Sequence, residues 1–303
     1  MTVHGPNPQY SPPTLPGEQA AALARQHGLH EIGVRPSIGA YTRDLWKFRH
    51  LMVHLAKGEF VSGHRDNHLG LAWAIINPLL LAGAYYLIFG ILIPTRGDID
   101  NFVAFLTIGL FVFTPLAGIL TSGSRVLLGR MSMMRSLTFP RVLLPLTSSL
   151  AHFFNALPAF LVLILIALIS GERPSVSWLL YPVALLIVMV MGTGMAMVGA
   201  RVVHAVRDAA NLLPLMTRLL RYISGIFFSV QESTARFPDT VPLVGSMLEY
   251  QPVAVVLTMV RESLMEEFPL RWETWAVSGG WALVFLIGGY VVFWRGEGSY
   301  GRA

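Results

Sequence analysis

The sequence predicts an all-α membrane protein: six transmembrane helices, an N-terminal amphipathic interface helix, and a broken re-entrant outer segment between helices five and six. Three observations predict it. Only 13% of the 303 residues are charged and 54% are hydrophobic, whereas a soluble domain carries about 25% charge. The mean hydropathy is +0.58. Six stretches are long and uncharged enough to cross a bilayer.

Those stretches are Leu71–Ile93, Phe102–Ser124, Val142–Ser170, Ser175–Ala200, Ala209–Val230 and Thr274–Trp294. Five of them contain no Asp, Glu, Lys or Arg. About 20 apolar residues at 1.5 Å rise cross a hydrocarbon core of roughly 30 Å. Lipid offers no partner to a backbone amide, so each span must be helical. Pro78, Pro115, Pro145, Pro158, Pro182 and Pro214 fall within spans, and neighbouring helices in a bundle tolerate such kinks.

Orientation follows the Lys and Arg of the connections. With a cytoplasmic N-terminus, fifteen of them fall inside and five outside. The outer connections instead carry ten carboxylates, Asp98 to Glu273. Both termini are therefore expected in the cytoplasm. The segment 231–273 is too apolar for a plain loop, yet Pro238, Pro242, Pro252, Asp239 and Glu249 cut it into pieces too short to cross. Two short helices dipping into the outer leaflet fit it best; a seventh span is the alternative.

Ahead of span one, Tyr41, Leu45, Phe48, Met52 and Leu55 recur at helical spacing, with Arg43, Lys47, Arg49, His50, His54 and Lys57 on other faces. This pattern fits a helix lying along the inner headgroups, or a cytosolic helix packed on a partner. Met1–Pro16 reads as a disordered tail with no cleavable signal. Residues 17–40 read as weakly structured, with one short helix near Gln19–His27. The chain thus divides into a cytosolic tail (1–40), the amphipathic helix and linker (41–69), the six-helix domain (70–295) and a cytosolic tail (296–303).

Chemistry is constrained as much by what is missing. There is no Cys, which excludes disulfides, thiolate zinc sites and Cys nucleophiles. The net charge of +5 and pI near 9.7 are not gathered into an aromatic-laced basic groove, so nucleic acid is not expected. No G-x-x-x-x-G-K-[ST], H-E-x-x-H or G-x-S-x-G occurs, so no phosphate-cradling loop, metalloprotease site or nucleophile elbow is present. His64 and His68 lie four apart, which could serve a metal but equally suits a loop leading to the membrane. No cofactor, metal or catalytic residue is expected in the chain.

Charge inside the spans is confined to Arg218 and Arg221 of span five, beside Tyr222. Their spacing of three puts them on one helical face. They form either a cationic wall for an anionic substrate or a pair snorkelling to the inner headgroups. Arg218 lies roughly 15 Å along a helix beginning at Asp208, which strains the second reading. Trp73, Tyr85, Tyr86 and Phe89 in span one, with Tyr222, Phe227 and Phe228 in span five, either line a pathway or pack the bundle and its interfaces. The inner connection Gly123–Arg141 is basic, with Val126, Leu127, Met131, Met134 and Leu137 on a helical period. It reads as a docking surface for a soluble subunit as well as a marker of the positive-inside rule.

One arrangement of motifs unites these features. His68, Gly70, Trp73, Ala74 and Pro78 give H-x-G-x-x-W-A-x-x-x-P at the entry to span one. Leu137–Pro145 reads L-T-F-P-R-V-L-L-P, Ala205–Asp208 reads A-V-R-D, and Gln251–Pro252 and Arg261 mark the broken outer segment. Over roughly residues 41–295 this resembles the permease subunits of ABC-2 type polysaccharide exporters, the O-antigen, teichoic acid and galactan family. Where that family carries a basic K-x-R-Y-x-x-S-x-L-G before span one, this chain has Ser62–Gly70.

The resemblance implies a homodimer in the bacterial inner membrane with two copies of a separate ABC ATPase, which binds ATP and Mg. The cargo would be a polysaccharide on a polyprenyl pyrophosphate, with galactan suggested by the Arg-rich, Lys-poor composition and the Pro/Gly-rich tail. Trp73, Tyr85, Tyr86, Phe89, Arg218, Arg221, Tyr222, Phe227 and Phe228 would line its path. Met131, Met134, Arg135, Leu137, Phe139, Pro140, Arg141, Arg207 and Asp208 would couple to the ATPase. Two other functions compete: an ABC-2 permease for a drug or small lipid, and an integral membrane glycosyl or acyl transferase. The transferase should place carboxylates or His at a membrane face, and the six spans contain no carboxylate.

Overall fold

The computed structural model describes Leu23 and residues 36–65, 70–92, 99–230 and 242–300. Eleven α-helices are found among them, and no strand. Four are long and apolar enough to cross a membrane: α4 (Phe102–Gly129), α6 (Leu143–Ile169), α7 (Tyr181–Ala205, extended backward by a 3-10 turn from Val176) and α11 (Trp272–Arg295). These are spans two, three, four and six of the sequence reading. The expected short helix near Gln19–His27 lies, apart from Leu23, outside the described residues.

α4 is the hub of the bundle. In its most apolar stretch 67% of the residues are buried, against 28% for α6 and 22% for α11, so the last two form the rim. Asn101 caps α4: its side-chain oxygen accepts from the Ala104 N–H at 3.1 Å. The main core joins Phe105, Ile108 and Phe111 of α4 to Leu163, Met191 and Val260 on three other helices.

α7 and α11 touch backbone to backbone. A Cβ on Gly194 would lie 2.2 Å from the Phe285 carbonyl carbon, and one on Gly289 would lie 2.4 Å from the Gly194 oxygen. Small residues at such crossings let helices pack without a hydrophobic drive from water.

The first span is irregular. α3 (Trp73–Tyr85) is entered through a 3-10 turn at Gly70–Ala72 and continues as a π-helix over Tyr86–Leu92. Span five differs more from expectation. The sequence suggested one helix over Ala209–Val230, but α8 (Ala209–Ile223) stops after 15 residues. The cause is Gly225, which takes φ +72°, the left-handed conformation that terminates helices. The following residues to Ser229 are turns and bends.

Beyond the undescribed segment come α9 (Pro242–Glu249) and α10 (Pro252–Leu264), the two short helices expected there. α10 is buried on nearly every side, Val253–Leu264 including Arg261 and Glu262. It is enclosed by α4, α7 and α11.

The amphipathic segment folds as α1 (Ile38–Lys47) and α2 (Arg49–Arg65), broken at Phe48. Burial follows the predicted stripe. Tyr41 is 2% exposed and Leu45, Phe48, Met52 and Leu55 are half-buried, while all six basic residues of the other faces are exposed. Much of this stripe packs on the protein itself, α2 on α6 and Tyr41 on Tyr290 of α11.

A polar latch ties α1 to the far end of the chain. The Tyr41 hydroxyl donates to Glu297 Oε2 at 2.7 Å and accepts from the Val142 N–H at 3.1 Å. Glu297 Oε1 accepts from the Arg141 N–H at 3.1 Å, and the Arg141 guanidinium donates to the Glu297 carbonyl. Trp294 donates from its indole to the Pro36 carbonyl at 3.0 Å. Burial lifts the Glu297 carboxyl above its ordinary range, and the Tyr41 and Arg141 contacts pull it only partly back.

Two predictions follow from packing and latch. Gly194→Ala should destabilise the detergent-solubilised protein by about 1–3 kcal/mol through overpacking. Gly279→Ala, where a Cβ meets nothing within 4 Å, should be neutral or gain up to about 1 kcal/mol. Thermal or chemical melts of the two variants check the contrast. For the latch, a carboxyl raised in the folded state contributes stability below its unfolded value, about 4.5, and loses it as pH rises through the folded value. Tyr41→Phe should cost about 1–3 kcal/mol by stranding two groups, and should extend that loss to higher pH. Melts from pH 4 to 8, compared with the parent, read both effects.

Candidate functional site

Two regions hold the residues singled out by the sequence. The first lies where the π-helical end of span one meets α8. Tyr85 and Phe227 approach with ring centroids 4.8 Å apart, and Tyr222 adds its ring 5.6 Å from Phe227. Phe227 is buried, Tyr86 and Phe228 are half-buried against the core, and Tyr222 remains half exposed at 49%. The turn after Gly225 folds Phe227 back onto Tyr222 and Tyr85, so helix termination builds this aromatic cluster.

The two cations of α8 take different environments. Arg218 is exposed. Arg221 leans on α4, its guanidinium carbon 5.6 Å from the Phe113 ring centre, and its Nε is shielded from solvent without a hydrogen-bond partner among the described residues. α8 itself is two-faced. Ala210, Leu213 and Thr217 are buried against the bundle, while Leu212, Leu215, Met216 and Leu219 are exposed beside Arg218. An outer face of this kind must meet lipid, another protein surface or a solute. Trp73 sits apart, at the start of α3 on the edge of a cavity, and the Phe89 side chain falls outside the described set.

The second region is the basic end of the bundle. The docking helix expected between spans two and three is shorter than its periodicity suggested. Val126 and Leu127 belong to the end of α4 and are buried, so they offer nothing to a partner. What remains is α5 (Met131–Ser136), six residues long. Met134 and Pro140 are buried, Met131, Phe139 and Arg141 are half-buried, and Leu137 is 53% exposed. Arg207 and Asp208 are exposed in the turn between α7 and α8. The Arg135 side chain falls outside the described set.

Three polar contacts fix this surface to the rest. Arg130 pairs with Glu59 of α2, Arg141 engages Glu297, and Arg125 donates to the Ala210 carbonyl at the start of α8. The interface helix, the inner connection, the tail and α8 are thereby one connected unit.

Sequence reading missed the most deeply buried charges. Arg261 and Glu262 were counted as outer-loop charges, yet they are 3% and 2% exposed. Arg261 lies over the Phe105 ring at 3.4 Å and donates to the Gly225 carbonyl at 2.9 Å, with longer contacts to the Ile226 and Phe105 carbonyls. Glu262 accepts from Arg271 Nε at 3.1 Å and from the Thr274 hydroxyl at 2.7 Å. The signal was available: Val253–Val260 is apolar on nearly all its faces, the mark of a buried helix, and Arg261 and Glu262 directly continue it. Among the described residues no group of three His, Asp or Glu could hold a metal; the His64 side chain and His68 lie outside that set.

Residues 50–237, more than half of the chain, match the family described as ABC-2 type transporter. The chain is similar to the O-antigen export system permease protein RfbA of Myxococcus xanthus, 25% identical over 219 residues that cover 70% of this chain and 82% of that protein. It is likewise similar to an O-antigen export system permease protein RfbA of Klebsiella pneumoniae, 26% identical over 217 residues that cover 71% and 80%. A helical bundle with several membrane-crossing helices, an all-helical fold and this match agree: the chain belongs to the ABC-2 type transporter family.

Proposed function

We propose that this chain is the membrane subunit of an ATP-driven exporter that moves a polysaccharide, carried on a polyprenyl pyrophosphate, out of the cytoplasm of a bacterium. The observation that carries the reading is the outer face of α8. It sets an exposed guanidinium, Arg218, among exposed apolar side chains and beside the Tyr85–Phe227–Tyr222 cluster. A cation in an apolar setting suits a pyrophosphate, and aromatic faces let sugar rings pass by stacking. Two copies facing each other across α8 and span one would enclose such a path. α3 with its π-helical extension, and α8 with the turn after it, complete six passes. α9 and α10 form the re-entrant outer segment.

Orientation follows the two ends of the bundle. Arg125, Arg130, Arg141, Arg201, Arg207 and Arg295 gather at one end, and Glu172, Glu262, Glu266 and Glu267 at the other. The positive-inside rule puts the first in the cytoplasm with both termini. There α5, Leu137 and the Arg207–Asp208 turn would meet two copies of a separate ATPase that binds ATP and Mg. Among polysaccharides, galactan is the cargo suggested by the resemblance to the polysaccharide-exporter permeases.

The purified chain alone should hydrolyse no ATP, and a second polypeptide should be required for transport; ATPase activity from the chain by itself would overturn the division of labour. Arg218→Ala combined with Arg221→Ala should lower polymer export at least tenfold in cells while the complex with its ATPase still co-purifies. Unchanged export would remove the cationic wall from the pathway. On depletion, the lipid-linked glycan that accumulates inside identifies the cargo; a galactan is expected.

A further inference from the structure

A cavity of about 460 Å³ opens between α3, α4 and α6, with Gly63 of α2 at its edge. Its volume lies in the range of small-molecule sites, about 300–1,000 Å³. Most of its wall is apolar: Phe111, Pro115, Ala156 and Ala159. Against that wall stand Asn77, Thr114, His152 and Asn155. His152 and Asn155 are one helical turn apart and lie roughly 14 and 18 Å from the inner end of α6, a helix of about 40 Å. They therefore sit near the middle of the bundle, where lipid supplies no hydrogen bonds.

Polar side chains at that depth are costly unless something satisfies them. The carbonyl oxygen of Asn155 is shielded from solvent and has no hydrogen-bond partner among the described residues. The ring of His152 is accommodated by Gly118, where a Cβ would lie 2.8 Å from Nδ1. Glycine at this point of α4 is what admits the imidazole. The structure thus makes room for polar groups in the membrane interior and leaves the side-chain oxygen of Asn155 without a partner among the described residues.

We propose that this cavity binds the neutral, hydroxyl-rich head of a glycolipid, with the lipid chain leaving along the flank of the bundle. Three features select that chemistry. None of the described residues lining the cavity is charged, so a phosphate or carboxylate would enter without a counter-ion. The lining amides and imidazole offer both donors and acceptors, and the Thr114 hydroxyl, which donates to the Leu110 carbonyl at 2.7 Å, offers an acceptor; together they complement a polyol. Trp73, 38% exposed at the mouth, presents the flat apolar face on which the C–H side of a sugar ring stacks. Leu79 and Leu80 of α3 and Leu157 and Leu161 of α6, on two of the helices that line the cavity, are exposed and offer an apolar track for an acyl or prenyl chain. The cavity lies apart from the Tyr85–Phe227–Tyr222 cluster: Trp73 is twelve residues before Tyr85, about 18 Å along the helix, and the proposal stands whether or not the export reading holds.

The test uses the full-length chain in a sugar-free polyoxyethylene detergent, titrated by native mass spectrometry. Monoglucosyl diacylglycerol should bind at least tenfold more tightly than phosphatidylglycerol or phosphatidylethanolamine. His152→Ala with Asn155→Leu should weaken it at least tenfold. Trp73→Leu, a change at an exposed position that does not endanger folding, should weaken it at least threefold. Competition by a farnesyl pyrophosphoryl disaccharide would assign the sugar head to transported cargo, and failure to compete would assign it to a resident bilayer lipid; both retain the site. Equal binding of the three lipids, or unchanged affinity in both the double variant and Trp73→Leu, would overturn it and leave the cavity to water.

Discussion

One guanidinium ties α10 to the hub helix α4 and to the break after α8. Arg261 is buried where an ion cannot persist without compensation, and its compensation consists of backbone carbonyls and an aromatic face. Two of those carbonyls, Gly225 and Ile226, exist as free acceptors only because α8 has ended. A helix that stops inside a bundle leaves carbonyls without partners, and lipid cannot supply them. Each problem therefore answers the other. Gly109 completes the arrangement, since a Cβ there would lie 3.0 Å from the guanidinium nitrogen. The broken segment, the hub helix α4 and the end of α8 meet at this one group.

The two ends of the bundle solve different problems. At the acidic end, carboxylates cap backbone amides: Glu172 receives the Glu266 N–H at 2.9 Å, and Glu267 receives that of Asp100. Glu172 also accepts from the Asn101 side chain that caps α4. The short outer helices are thus tied to fixed helix ends. At the basic end the contacts run between segments far apart in sequence, with Tyr41 and Glu297 separated by 256 residues. Arg141 and Val142, α1 and Glu297 are thereby held in one hydrogen-bonded unit.

The long helices were legible because their evidence is local. α4, α6, α7 and α11 each contain a long uncharged run, and length alone decides them. The stripe from Tyr41 to Leu55 was legible for the same reason, through its period. The stop at Ile223 was not, because Ser224 and Gly225 break a helix only when something distant rewards the break, and Arg261 lies 36 residues later. Tyr41 was read as one apolar position among five, since its hydroxyl acquires meaning only beside Glu297. His152 and Asn155 look like scattered polar residues until α3 and α4 close round them.

The shape of α8 bears on assembly. Fifteen residues rise about 22 Å, less than the roughly 30 Å of a hydrocarbon core. The residues that follow α8 are turns and bends, whose polar backbone must be enclosed by protein or water. On the bundle side, Arg261 and the core enclose it. On the other side, Leu212, Leu215, Met216, Leu219 and Tyr222 are exposed together with Arg218. Bare lipid would accept the apolar members of this face and penalise the cation. A face that is apolar, aromatic and singly cationic is better suited to a confined, partly wet space than to bare lipid. The break that Gly225 makes in α8 thus leaves a short helix and its cation enclosed by this chain on one side only.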